Sequence, residues 1–198
     1  MARPPAAHRG PANFSTPGAS FFQFCRSVGN HSGQKGIIPL AMSELKDFLS
    51  QKTAQAAEFY VRDLEALTHE QLDKSPGGSA RAGYDFTHEV VVVNKRIACR
   101  LRNEDPGPWP FGEGWAVCPD GERNKEHLAA QIKSSAQEIV DAIPGVPDEK
   151  FSEEFELNGS PTSFADMVGL ASMHIMYHGA QLNYLQAMGG DLEMHWMD

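Results

Sequence analysis

The sequence has no apolar run of the roughly 20 residues needed to span a bilayer, so no membrane segment is expected. It has only three cysteines, Cys25, Cys99 and Cys118. Their odd number and their spacing fit neither a disulfide framework nor a zinc knuckle. The simplest setting is reducing and cytoplasmic. Positive charge is also scarce: 17 Lys and Arg face 26 Asp and Glu, for a net charge of -9. Phosphate binding needs a basic patch, so nucleic acid is not an expected partner. The phosphate-cradling P-loop, the dinucleotide GxGxxG and the nucleophile elbow GxSxG are all missing. So is HExxH, because Ile175 rather than Glu follows His174, and the zinc-protease arrangement of ligand and adjacent base is excluded.

The chain of 198 residues, 41% of them hydrophobic, can build one core with room for a tail. Residues 1–41 carry Arg3, Arg9, Arg26 and Lys35 and no acid. They are rich in Pro, Gly, Ser and Ala without sustained periodicity, and are expected to form a disordered extension. An Arg-bearing, acid-free leader fits an organelle-targeting peptide; an upstream start codon, with Met42 as the natural first residue, is the simpler account. Phe21-Phe22-Gln23-Phe24-Cys25 is too short for a secretory core. The folded domain is expected over 42–198.

Within that domain the periodicity is helical. Ser43 is a plausible N-cap for a first helix ending near Thr68, with Leu45, Phe48, Leu49, Ala56, Phe59, Tyr60, Leu64 and Leu67 on one stripe. Thr68 to Leu72 reads as a short turn. In 84–102 the run Val90 to Val93 favours a strand. However, Phe86, Val90, Val93, Ile97 and Leu101 recur at helical spacing over a length unusual for a strand, so a second helix is expected. Residues 104–122, with Trp109 and Trp115 among prolines and glycines, form a long loop: a pocket wall or lid, or an ordinary surface excursion. Asn124 caps a third helix, stopped by Pro144 to Pro147. Residues 148–161 are acidic and irregular, and Thr162 or Ser163 opens a fourth helix closed by Gly189-Gly190. Four helices with short or moderate connections predict an all-α four-helix bundle.

The chemistry-bearing residues are histidines. His174 and His178 are four apart, which on a helix places them one above the other. They share the apolar stripe with Ala171, Ile175 and Leu182, so they point inward. Buried without partners, each would cost a few kcal/mol, and a metal satisfies both at once. A hydrogen-bonded pair, or a face exposed at a helix end, is the alternative. Gln181 shares this face. His69, His127 and His195 read as solvated, and Cys99 as core.

The order of His88 on the second helix, then His174-Ile175-Met176-Tyr177-His178-Gly179-Ala180-Gln181 on the last, with Leu67-Thr68-His69-Glu70-Gln71-Leu72 between the first two helices, resembles the DinB/YfiT-like superfamily of metalloenzymes. The resemblance covers Met42 to about Leu192. It implies an up-down-down-up bundle, often a homodimer, with one divalent metal (zinc, nickel or iron) on His88, His174 and His178. It implies a small-molecule substrate and a thiol-dependent S-transferase or hydrolase type of reaction, the former with a low-molecular-weight thiol as cosubstrate. Gln181 would then orient a ligand or donate to substrate, and Asp85 would be either a partner behind His88 or a solvated helix start. A non-catalytic, metal-stabilised or binding dimer is the alternative. Relatives often carry a basic residue directly after the last ligand; Gly179 stands there, which puts an anionic group bound at that position in doubt.

Overall fold

The computed structural model describes residues 41–157 and 159–197. The expected extension over 1–41, Cys25 included, lies outside these residues except for Ala41. The described chain is all-α apart from one small hairpin. Its elements are α1 (Met42–Ala66), α2 (His69–Asp73), α3 (Gly83–Leu101), α4 (Lys125–Ala142), α5 (Asp148–Phe151), β1 (Phe155–Leu157), β2 (Ser160–Thr162) and α6 (Phe164–Met188). The four long helices pack in a ring, α1 against α4 and α6, and α3 against α4 and α6. Among the described residues no helix is long and apolar enough to cross a membrane.

Helix starts follow local chemistry. Asn124 caps α4 by accepting the His127 amide, and Ser163 caps α6 by accepting that of Asp166, as expected from the sequence. Two expectations are corrected. The N-cap of α1 is Ala41 rather than Ser43, because its amide donates to the Glu44 carboxylate at 2.9 Å. Thr68 to Leu72 is not a turn: Thr68 and Gln71 cap each other reciprocally and start α2. The 148–161 segment is also more regular than its composition suggests. It holds α5 and the antiparallel pair β1–β2, in which Phe155 lies opposite Thr162.

The core divides into two apolar clusters. One gathers Tyr60, Leu64, Phe86, Val90, Ile132, Ile175 and Leu182. The other gathers Ile97, Leu101, Ile139, Ile143, Phe151, Val168 and Ala171 around the far ends of α3 and α4. The valine run of α3 is helical because Val90 and Val91 are buried in the first cluster, and packing outweighs strand propensity.

Polar contacts fasten the helices at chosen levels. The Tyr60 hydroxyl donates to Thr87, whose own hydroxyl donates to the Gly83 carbonyl. Ser172 bonds Thr53 at 3.0 Å between α6 and α1, and Asn94 bonds Ser135 between α3 and α4. Near the end of α1, the buried Asp63 accepts from Asn183 of α6 at 3.2 Å. Burial raises the Asp63 pKa from 3.8 to about 6, against the opposing pull of His195 and Asn183.

A carboxyl group whose pKa is raised on folding contributes stability while protonated, and that contribution is lost as pH rises through the folded value. The wild-type melting temperature should therefore fall relative to that of Asp63→Asn between about pH 4 and pH 7, as read by thermal denaturation across that range. Parallel curves would remove Asp63 as the source.

Candidate metal centre

His174 and His178 sit midway along α6, where Ala171 belongs to one apolar cluster and Ile175 to the other. One helical turn apart, they bring their Nε2 atoms to 3.1 Å, with the rings near perpendicular. Across from them stands Glu89 of α3, its Oε1 3.6 Å from His174 Nε2 and 3.9 Å from His178 Nε2. Glu89, His174 and His178 form a convergent group able to hold a metal ion.

His88, the expected third ligand, is not a member of this group. Successive residues on a helix point about 100° apart. Glu89 therefore faces α6, while His88 turns toward the 104–122 loop. There its Nδ1 lies 3.4 Å from Glu122 and its ring meets the edge of Phe111. That Nδ1 is buried without a hydrogen-bond partner among the described residues, and burial lowers the His88 pKa. The sequence did carry a signal for Glu89. It falls three residues after Phe86 and four before Val93, so it lies on the inward stripe of α3.

Gln181 accepts from His178 Nδ1 at 2.7 Å, which fixes the tautomer and leaves the Nε2 lone pair aimed at the group. Asp85 does not reach His88. It accepts from the Cys118 amide at 3.0 Å and from Arg123 at 2.8 Å, anchoring the end of the loop. Gly179 is buried, and a Cβ there would meet the Tyr60 ring at 3.6 Å, so this position faces α1 and offers no place for a basic side chain toward the centre. His195 is not solvated but pairs with Asp191 at 2.9 Å, and the exposed His69 bonds the Tyr84 hydroxyl. His127 is exposed, with Gln131 beside it. Cys99 is half-buried and Cys118 fully buried.

The surroundings hold Glu89 and His178 in the protonation states that a metal would require. His178 is stacked on Phe86 at 5.4 Å and flanked by Tyr177. Its burial, and then the neighbouring His174, lower its pKa to about 4, so the ring is neutral near pH 7. Burial alone would raise the Glu89 pKa; the facing His174 and the Arg81 guanidinium outweigh it and bring the value to about 2. The loop approaches from outside. Arg96 donates to the carbonyls of Pro106, Gly107 and Pro108, Trp109 packs near Arg96 and Phe111, and Trp115 covers Arg81.

No protein-family model and no curated protein matches this chain. Two imidazoles and a carboxylate are a ligand set used by zinc hydrolases and by iron oxygenases. Tetrahedral zinc with bonds of about 2.0–2.1 Å spaces its ligand atoms about 3.3–3.4 Å apart. The observed separations of 3.1, 3.6 and 3.9 Å bracket that spacing, so the residues fit a metal. Zinc affinity, read by competition with a chromophoric chelator, should drop in Glu89→Gln, His174→Ala and His178→Ala by more than the roughly 10–100-fold typical of losing an outer partner. His88→Ala should bind as wild type; a comparable loss there would return His88 to the ligand set.

Proposed function

We propose that this protein is a metal-dependent enzyme acting on small molecules, of the thiol-transfer or hydrolytic type, built on a DinB-like up-down-down-up four-helix bundle. The observation that carries the reading is the convergence of Glu89, His174 and His178 in a largely buried setting. Three protein ligands leave a coordination position open, the pattern of catalytic rather than structural zinc sites. Zinc, nickel or iron would supply Lewis acidity there, for a water or for a thiol bound as thiolate. The chain's own residues prepare this. Glu89 is kept ionised, His178 is held by Gln181 with Nε2 free, and Phe86 shields one ring face from water. Through Trp115, which covers the Glu89 partner Arg81, the 104–122 loop packs near the centre, and a role as pocket wall belongs to this proposal. Gln181 acts through His178 in this reading rather than on the substrate.

A homodimer accompanies this proposal. Phe48 of α1 and Met173 and Met176 of α6 are exposed on a mostly apolar groove that Lys52, Gln55 and Ser172 also line, a suitable face for a second copy.

A non-catalytic bundle is the second reading, favoured by the proton arrangement. With His178 Nδ1–H given to Gln181, His174 Nε2–H can donate to His178 Nε2, so the two rings bond each other without a metal and only the His174 Nδ1 lone pair is left without a partner among the described residues. Metal binding would move the His174 proton to Nδ1, which is buried without a partner among the described residues. Elemental analysis of the full-length chain, beside a His174→Ala/His178→Ala double variant, separates the two. About one metal per chain, lost in the variant, is expected, followed by turnover of thiol-transfer or ester and amide substrates by the loaded protein. No metal after reconstitution with zinc, nickel or iron would leave the hydrogen-bonded pair as the role of these histidines.

A further inference from the structure

Arg81 lies just before α3 and outside the ligand group, yet its guanidinium reaches Glu89. Nη1 donates to Glu89 Oε2, while Oε1 is the oxygen turned toward His174 and His178. One carboxylate is thus divided between a cation on one side and two imidazoles on the other. Both side chains are largely buried, with 17% of Arg81 and 14% of Glu89 exposed, so water competes poorly for either oxygen. The Trp115 ring covers the guanidinium at 4.7 Å and presses it into this position from the loop side.

The division matters for coordination. A carboxylate with both oxygens free can take a metal through two atoms. With two imidazoles, that would fill the four positions of a tetrahedral site. A carboxylate with one oxygen already engaged by a cation offers a single atom and leaves the fourth position for substrate. Arginine suits this use because its charge is permanent and its planar fork fixes the direction of the bond.

We propose that Arg81 is a positioning residue that holds Glu89 as a one-oxygen ligand and so keeps the metal centre open to substrate. This rests on the metal-centre reading above. It adds a role for a residue that touches neither metal nor substrate.

The test uses the full-length chain with zinc and cobalt(II) as probes. Zinc affinity is measured by chelator competition, and access to the fourth position by titrating the cobalt protein with a small thiol, whose binding adds a sulfur-to-cobalt charge-transfer band. Arg81→Met is expected to keep zinc binding but to take up the thiol at least about 10-fold more weakly than wild type, because Glu89 then fills the fourth position with its second oxygen. Circular dichroism of the metal-free proteins checks folding. Should Arg81→Met fail to fold, Arg81→Gln, which keeps a donor without the charge, is judged by the same two readouts. A thiol titration in the folded variant that matches wild type would overturn the proposal. Altered zinc affinity with an unchanged thiol titration would also overturn it, leaving Arg81 only a charge-balancing role. Should wild type itself bind neither ion, the metal reading fails first, an outcome distinct from a wild type that binds and an Arg81 variant that binds identically.

Discussion

A carboxylate placed among apolar helices is tolerated only if something meets its charge. The Glu89 carboxylate is met by Arg81 on one oxygen and faced by the His174 and His178 imidazoles on the other. This constraint reaches far into the fold. It brings α3 to α6 at the level of the histidines, draws the segment before α3 inward, and gives the 104–122 loop a cation for Trp115 to cover. An isolated ion of this kind would cost several kcal/mol in a dry interior and would instead take up a proton. Its low pKa shows that the partners outweigh the burial.

The same helix carries two polar neighbours with different fates. Glu89 looks across to α6, and His88, one residue earlier, looks out to Phe111 and Glu122. Both are chemically able to bind a metal, so residue type cannot choose between them; only the rotation of α3 about its axis can. That rotation is set by Phe86, Val90 and Ile97, which must all be buried. The apolar stripe therefore decides which polar residue enters the centre.

Much of this was legible in the sequence and some was not. The four long helices follow from the apolar spacing, and the caps Asn124 and Ser163 from their side-chain chemistry. The His174–His178 pair follows from a separation of one turn. What escaped depended on details finer than periodicity. Telling that Glu89 rather than His88 meets His174 and His178 required knowing the face of α3 to within about 100°, and a histidine draws attention to itself as a candidate ligand more than a glutamate does. The α2 turn of helix depends on a reciprocal cap between Thr68 and Gln71, and the β1–β2 hairpin on long-range packing of Phe155 with Phe164. Acidic composition alone hides both kinds of information.

The grip of Arg96 on the 104–122 loop has a consequence for how such a surface can change. Its guanidinium holds three successive backbone carbonyls, those of Pro106, Gly107 and Pro108, and at the far end Asp85 holds the backbone amide of Cys118. Neither anchor reads the side chains between them. The loop is thus held largely through its backbone, and exposed positions such as Glu113 and Val117 can diversify while Trp115 keeps its place over Arg81 and the framework that carries Glu89, His174 and His178 stays as it is.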